Sequence, residues 1–107
     1  MQSDLDAMNL ARLRGAADKA HALLKTLGNR DRLMLMCQLA EGERNVGELE
    51  AVLGIVQPTL SQQLSVLRRE GMVSTRREGK QIYYRITSQE ALAVINTLYQ
   101  LFCSEGD

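Results

Sequence analysis

The chain has 107 residues, 45% of them hydrophobic, and its formal net charge at pH 7 is zero. This length fits one small domain that can just build its own core, so we expect a single domain over residues 1–107. No run of about 18 apolar residues is present, which argues against a membrane-spanning helix. The first residues lack the pattern of a secretory signal, so a cytoplasmic protein with reduced thiols is expected.

The zero net charge hides an uneven distribution along the chain. Residues 57–85 contain six basic and two acidic side chains, whereas residues 1–56 contain seven basic and eight acidic ones. A local excess of positive charge is typical of a nucleic-acid interface. The composition therefore predicts that any contact with DNA involves residues 57–85.

Two helices are predicted in the first 40 residues. Apolar residues recur at helical spacing over residues 5–27, and Gly28 ends this first helix. A second helix is predicted over residues 30–40, where the apolar sequence LMLMCQLA indicates burial on most faces.

The next segment has the pattern of a helix-turn-helix motif. Asn45 is a suitable N-cap for a third helix, and Glu48 lies where a capping box requires it. After Gly54, Pro58 occupies a position that the first turn of a fourth helix tolerates. The stripe of this fourth helix that we expect to be buried consists of Leu60, Leu64 and Leu67.

A hairpin and a fifth helix complete the predicted fold. Residues 72–75 and 82–86 are predicted as two strands, and the last helix begins near Ser88. The fold class is therefore mainly α, a winged helix-turn-helix with five helices and a two-stranded wing. Apolar residues occupy nearly every face of the last helix, so we expect the first and last helices to form a homodimer interface. The alternative is that both helices pack only on the core of their own chain.

The fourth helix and the hairpin carry the side chains that we expect to contact double-stranded DNA. The helix offers neutral hydrogen-bonding groups and no acidic ones, which suits base edges and phosphates. Gln62 and Gln63 are candidates for adenine edges, while Arg77 and Lys80 are candidates for phosphate or the minor groove. The alternative for each is a polar side chain that only faces water. The complete predicted set is Gln57, Thr59, Ser61, Gln62, Gln63, Ser65, Arg68, Arg76, Arg77, Lys80 and Tyr83.

A homodimer determines what kind of DNA the fourth helix can recognise. Two copies related by a two-fold axis place their recognition helices about one turn of DNA apart. The predicted target is therefore an inverted-repeat operator, and its affinity is expected to fall as salt rises.

The sequence RLMLMCQLAEGERNVGELEAVLGIVQPTLSQQLSVLRREGMVSTRREGKQIYYRI, at residues 32–86, resembles the ArsR/SmtB family of winged-helix repressors. The resemblance extends over residues 24–103 and implies a homodimer that represses an operon and releases DNA in response to a chemical signal. Many members of this family sense metal ions. This chain lacks both the CxC thiolates in the third helix and the Asp/His pattern in the last helix, so a metal-responsive repressor is only an alternative, and no metal or other cofactor is expected.

Two cysteines are the remaining candidates for a sensing function. Helical periodicity predicts that both Cys37 and Cys103 face inward, and from the residues alone they could equally be small buried apolar groups. Arg30 and Arg32 precede Cys37 in the second helix, which weakly favours Cys37 as the first attacking thiolate.

The motifs RLMLMC, QPTLSQQL and LYQLFC resemble the dithiol branch of the family, which includes sulfide-responsive and biofilm-growth-associated repressors. In that branch two cysteines form a disulfide or polysulfide bridge when persulfides accumulate. The resemblance implies that Cys37 and Cys103 are redox-sensing residues, that reactive sulfur species are the inducer, and that bridging releases DNA.

Two other functions remain open. The chain is also similar to hemolysin-activating regulators, which carry a similar cysteine pair and displace a silencing protein from DNA. A thiol oxidoreductase, or a metal-binding protein using Cys37, Cys103 and His21, belongs to another class. No CxxC motif is present, and these ligands leave a zinc site incomplete. Because no cluster of acid, base and nucleophile is visible, we do not expect an enzyme.

Overall fold

A computed structural model describes residues 3–103, and it describes side chains from residue 9 onward. Within this range the chain forms five helices and three strands in the order α1, α2, β1, α3, α4, β2, β3, α5. The helices are α1 Ser3–Leu27, α2 Arg30–Leu39, α3 Val46–Leu53, α4 Thr59–Arg69 and α5 Gln89–Phe102. The strands are β1 Arg44–Asn45, β2 Val73–Glu78 and β3 Gln81–Ile86. The predicted winged helix-turn-helix with five helices is confirmed.

The sheet has one strand more than the sequence predicted. Strand β1 pairs antiparallel with β3, so that Arg44 lies opposite Tyr84, and the strand order is β1-β3-β2. The predicted two-stranded wing is the hairpin of β2 and β3, and β1 is an additional strand that the sequence did not predict. Two residues are too few to show alternation of apolar and polar side chains, and β1 is a strand only because β3 pairs with it.

The wing hairpin is longer than predicted and closes in a tight turn. The ladder between β2 and β3 continues to the pair formed by Glu78 and Gln81, which leaves two residues for the turn. Gly79, the first of these two, has a φ of 64°, a left-handed conformation that glycine adopts without steric cost. This turn places the side chain of Lys80 at the tip of the wing.

Local capping interactions fix where three helices begin. Asn45 Oδ1 accepts a hydrogen bond from Glu48 N at 2.8 Å, and Asn45 N donates to Glu48 Oε1 at 2.9 Å. The predicted capping box of α3 is therefore confirmed. Ser88 Oγ accepts from Ala91 N at the start of α5, and Asn29 Oδ1 accepts from the backbone of α2.

The hydrophobic core is built around α2. Leu35, Met36 and Leu39 are buried, and α2 packs against α1, α3, α4, α5 and β3. The three leucines of α4 predicted to form its buried stripe are also in the core. The core thus holds α4 by one face and leaves its opposite face at the surface.

The core leaves two apolar surfaces uncovered. Every residue of α1 from position 9 to 22 is exposed, and α1 reaches the core only through its last turns. Large apolar side chains are exposed on α1 and at the end of α5, namely Leu10, Leu13, Leu24, Tyr99, Leu101 and Phe102. No helix within residues 3–103 is long and apolar enough to cross a membrane.

The capping box predicts the stability cost of one substitution. Asn45→Ala removes the hydrogen bond from Glu48 N to the Asn45 side chain and should lower the free energy of unfolding by about 1 kcal/mol. Urea denaturation measures this at a fixed protomer concentration, since the stability of an oligomer depends on concentration. The control is Ser65→Ala, at an exposed position within α4, which should change stability by less than about 0.5 kcal/mol. Equal effects of the two substitutions would contradict the role of Asn45 as the cap of α3.

Candidate DNA interface and cysteine groove

The polar side chains of α4 lie opposite its buried leucines. Ser61, Gln62 and Ser65 are exposed, and no acidic residue occurs between the first and last residues of this helix. A helix of this width with a free polar face fits the major groove of B-form DNA. Of the predicted set on and near α4, Gln57, Ser61, Gln62, Ser65 and Arg68 are exposed, while Thr59 and Gln63 are half-buried.

Gln57 has a structural role that the sequence did not indicate. Its Oε1 accepts hydrogen bonds from Ser61 N at 3.1 Å and from Ser61 Oγ at 2.7 Å. Pro58, the N-cap of α4, makes no side-chain capping bond. Gln57 therefore caps the first turn of α4, and a DNA contact by Gln57 or Ser61 has to compete with this pair.

The two glutamines predicted to contact bases have different surroundings. Gln63 Oε1 accepts a hydrogen bond from the Arg32 Nη1 group at 2.8 Å, and Arg32 Nε donates to Thr26 O at 2.7 Å. The Gln62 side chain is exposed and forms no hydrogen bond among residues 9–103. Only Gln62 therefore keeps both the acceptor and the donors of its amide free.

Arg76 on the wing is held by carboxylates. Its Nε donates to both oxygens of Glu43, at 3.0 and 2.9 Å, and its Nη1 donates to Glu78 Oε1 at 2.6 Å. Its guanidinium also lies 4.7 Å from the centre of the Tyr83 ring. The hydrogen bond from Arg76 lowers the pKa of Glu43, so this carboxylate stays charged in mild acid. Glu43, 33 positions away in sequence, was missed because no local pattern connects it with the wing.

Three other predicted cations are free to meet phosphate groups. Arg68, at the end of α4, and Arg77 and Lys80, on the wing, are exposed. None of the three forms an ion pair or side-chain hydrogen bond with another residue in the described part of the chain. Their charge is therefore not neutralised by an ion pair within the described part of the chain.

Cys37 and Cys103 line the same groove. The groove lies between α2 and α5, has a volume of about 520 Å³, and is bordered mainly by apolar residues such as Leu33, Ile95 and Tyr99. Both cysteines are free thiols. The fold thus brings together two side chains that are 66 positions apart in sequence.

The expectation that both cysteines face inward was wrong for Cys103, which is exposed, whereas Cys37 is half-buried. The end of α5 extends past the core, so that Phe102 is 80% exposed within the chain. Helical periodicity indicates the face on which a residue lies, but it does not show whether the core reaches that end of the helix.

The surroundings of Cys37 do not favour a thiolate. Burial raises the pKa of the Cys37 thiol, and the neighbouring Cys103 raises it further. The weak expectation that Arg30 and Arg32 favour Cys37 as the first attacking thiolate is not supported, because the pKa of Cys37 is raised and Thr26 and Gln63 hold the Arg32 guanidinium. At neutral pH a smaller fraction of Cys37 is deprotonated than of an ordinary cysteine.

His21 lies apart from the two cysteines. It is exposed on α1 and lines another depression together with Lys25 and Arg69. Within the described part of the chain, no three His, Cys, Asp or Glu side chains are grouped as metal ligands would be. The structure therefore does not assemble the set of Cys37, Cys103 and His21.

A recognition helix with a free polar face, followed by a basic wing, defines a winged helix-turn-helix DNA-binding protein. Residues 29–75 match the family model described as bacterial regulatory protein, arsR family. The chain belongs to the ArsR family and is a DNA-binding transcriptional regulator.

Similar proteins and their solved structures agree with the placement of this chain among DNA-binding transcriptional regulators. The biofilm growth-associated repressor of Xylella fastidiosa is 56% identical over 89 residues, which cover 83% of this chain and 78% of the relative. Its crystal structure, of the repressor BigR, matches with a TM-score of 0.82 at 53% identity and covers 89% of this chain and 97% of that one. The transcriptional activator HlyU of Vibrio cholerae is 42% identical over 96 residues, 90% of this chain and 89% of HlyU.

A third relative was solved in an assembled form. The homodimeric winged helix-turn-helix DNA-binding domain of Mb0332 from Mycobacterium bovis matches with a TM-score of 0.69 at 32% identity. The match covers 94% of this chain and 86% of that domain.

The different surroundings of two neighbouring arginines predict different salt dependences of DNA binding. Arg77→Gln removes a free cation and should reduce the slope of log affinity against log salt by about 0.9 per subunit. The matched substitution Arg76→Gln should change the slope by less than half as much, because Glu43 and Glu78 already neutralise Arg76. Fluorescence anisotropy with a labelled duplex at several salt concentrations measures both slopes. Equal changes would contradict the conclusion that Arg77 is a free cation and Arg76 a neutralised one.

Proposed function

We propose that this chain is a homodimeric repressor whose affinity for an inverted-repeat operator falls when a covalent bridge links Cys37 to Cys103. The observation that carries the proposal is that the two cysteines of the chain line one groove. A relative that is 56% identical is named a repressor, and a solved structure of HlyU is described as the reduced form. The operator, the dimer and the bridge are parts of this proposal.

The dimer part rests on the uncovered apolar surfaces of α1 and α5. Leucine and aromatic side chains on these two helices are 46–80% exposed within the chain, and grouped exposed apolar side chains of this kind mark sites of protein association. A two-fold interface buries the same surface on both subunits. It also sets the separation of the two α4 helices, which must match successive major grooves on one side of the DNA.

The chemistry of the proposed switch begins at the more accessible thiol. The Cys103 thiolate attacks the outer sulfur of a low-molecular-weight persulfide, RSSH, so that the S–S bond breaks, RSH leaves and Cys103 becomes a persulfide. The Cys37 thiolate then attacks Cys103 Sγ, and hydrogen sulfide leaves as the disulfide forms. In sum, two thiols and one RSSH give one disulfide, one RSH and one H₂S; the cysteines are oxidised and the sulfane sulfur is reduced.

A longer bridge forms if a second persulfide extends Cys103 by one more sulfur atom before Cys37 reacts. Cys37 then attacks the middle sulfur, and the products are a trisulfide, two RSH and one H₂S. A direct disulfide requires the two Cα atoms to approach within about 4.4 to 6.8 Å, whereas a trisulfide tolerates a larger separation. The open groove between α2 and α5 has room for the additional sulfur atom.

Bridging affects DNA binding because it links a core helix to a helix of the proposed interface. Cys37 lies on α2, and Cys103 directly follows α5. Tying these two points together changes how α5 leaves the core and hence the angle between the subunits. Two α4 helices that no longer match successive grooves lose cooperative binding to the two half-sites.

An activating role is the second candidate, because HlyU, at 42% identity, is named a transcriptional activator. In this case the protein would displace a silencing protein from DNA instead of blocking polymerase. In vitro transcription separates the two roles. A repressor lowers transcription from naked DNA, whereas a displacing activator raises transcription only when a silencing protein coats the template.

The switch predicts how cysteine variants respond to persulfide. Treatment of the reduced protein should lower operator affinity about 100-fold, a coupling of about 2.7 kcal/mol. Cys37→Ser and Cys103→Ser should bind the operator like the untreated protein and keep that affinity after treatment. Because burial raises the pKa of Cys37, bridging should accelerate as pH rises above neutrality. Gel-shift titration with intact-mass measurement tests this, and undiminished binding by a bridged protein would rule the switch out.

The dimer predicts the effect of one charge on α1. Leu13 is 63% exposed within the chain, and Leu13→Glu should convert the dimer into a monomer because each subunit would bring a carboxylate into the apolar interface. The matched control is Val52→Glu at a residue of α3 that is 59% exposed. Sedimentation velocity at about micromolar concentration measures the outcome. A wild-type chain that sediments as a monomer would overturn the dimer.

A further inference from the structure

Arg32 connects three helices in a way that neither the cysteine switch nor the set of predicted DNA contacts explains. It lies in the first turn of α2, and its side chain reaches both the last turn of α1 and the middle of α4. We propose that Arg32 is a positioning residue for DNA recognition, which orients the amide of Gln63 on α4. This inference rests on the proposal that α4 binds the DNA groove, but it does not depend on cysteine bridging.

The contacts of Arg32 hold its guanidinium in one orientation. Arg32 Nε donates to Thr26 O at 2.7 Å, and Nη1 donates to Gln63 Oε1 at 2.8 Å. Because the guanidinium is planar, hydrogen bonds from two of its nitrogens to two separate acceptors fix its rotation as well as its position. Thr26 is 5% exposed, and its carbonyl lies in the last turn of α1, where helical partners are missing. Arg32 is therefore anchored on the α1 side and directed at α4.

The backbone of Arg32 is fixed as well. Asn29 Oδ1 accepts a hydrogen bond from Arg32 N at 3.0 Å as the N-cap of α2. Both ends of the residue are thus attached to the corner between α1 and α2. A long side chain normally loses rotamer entropy when it makes a contact. The hydrogen bond to Thr26 O already restricts the Arg32 side chain, so the bond to Gln63 costs less additional entropy. The bond to Gln63 therefore depends on the placement of this corner relative to α4.

The hydrogen bond from Arg32 to Gln63 Oε1 determines which group of the Gln63 amide is available to a DNA base. The amide has an acceptor oxygen on one side and two N–H donors on the other. Because Arg32 holds Oε1 and Gln63 is half-buried, the Nε2 group is the part directed away from Arg32. A bidentate contact with adenine needs both the oxygen and the nitrogen of one amide. Gln63 consequently acts as a donor, which suits acceptors such as guanine O6 or thymine O4, and the adenine contact predicted from sequence falls to Gln62.

Double-mutant analysis of the reduced protein tests this role. An operator is first selected from random duplexes with the wild-type protein, and affinities for it and for an unrelated duplex are then measured. Arg32→Met and Gln63→Met should each weaken operator binding about tenfold, with little change for the unrelated duplex. The double variant should also lose about tenfold, because the two residues act as one unit. A loss of about a hundredfold would show independent roles and overturn the proposal.

Salt dependence separates positioning from a direct contact with phosphate. If Arg32 acts through Gln63, Arg32→Met leaves the slope of log affinity against log salt unchanged. A slope reduced by about 0.9 would mean that Arg32 itself neutralises a phosphate, and the proposal would be wrong. Arg30→Met is the matched control, since Arg30 is exposed at the start of the same helix and makes no side-chain hydrogen bond within the described residues. The ratio of operator affinity to unrelated-duplex affinity should be the same for Arg30→Met as for the wild type.

Gln63→Glu keeps the test decisive if Arg32→Met does not fold. This substitution retains an oxygen for Arg32 and removes the outward donor. The ratio of operator to unrelated-duplex affinity should fall as far as it does in Gln63→Met, and an unchanged ratio would overturn the proposal. If the wild-type protein selects no sequence at all, the DNA-recognition part of the proposed function fails and the inference fails with it. If an operator is found but the two substitutions are additive, only the inference fails.

Discussion

The burial of α2 is the constraint on which the rest of the structure depends. A helix of 10 residues is marginal in water by itself, so α2 persists because other elements cover it. Leu35 and Met36 are fully buried, and side chains of this kind contribute roughly 1.5–3 kcal/mol each when removed from water. Since α1, α3, α4, α5 and β3 all pack on α2, the position of every element that bears function is defined relative to this helix.

The same packing explains why the chain leaves apolar surface at its periphery. One small core has room for the first half of α5, where Ala91 and Ile95 are buried, but not for its last turn. Likewise, α1 is anchored by Thr26 and Leu27 and extends from the core along residues 9–22. Covering both surfaces with a second copy would complete a hydrophobic interior that a single chain is too small to enclose. It would also place Cys103, next to the exposed end of α5, close to the proposed subunit interface.

Features encoded by neighbouring residues could be predicted from the sequence, and features that depend on tertiary contacts could not. The capping box of Asn45 and Glu48 and the leucine stripe of α4 follow from spacings of three and four residues, which periodicity detects. Strand β1, the Arg76–Glu43 pair and the Arg32–Gln63 bond involve partners more than 30 positions apart. Charge patterning showed that positive charge is concentrated in residues 57–85, but it could not show which arginine is already neutralised.

The placement of Arg32 and Cys37 on one helix links recognition to the proposed sensing chemistry. They are five positions apart, about 7.5 Å along the axis of α2, and a helix this short and well packed moves as a rigid unit. A bridge from Cys37 to Cys103 would pull on α2 from the α5 side, while Arg32 holds Gln63 on the α4 side. Hydrogen bonds from nitrogen to oxygen span about 2.7–3.2 Å, so a shift of α2 by about half an ångström away from α4 would lengthen the 2.8 Å bond beyond this range. A bridge that changed the angle between subunits would therefore also disturb the orientation of Gln63 within each subunit, and the two effects would reduce operator affinity together.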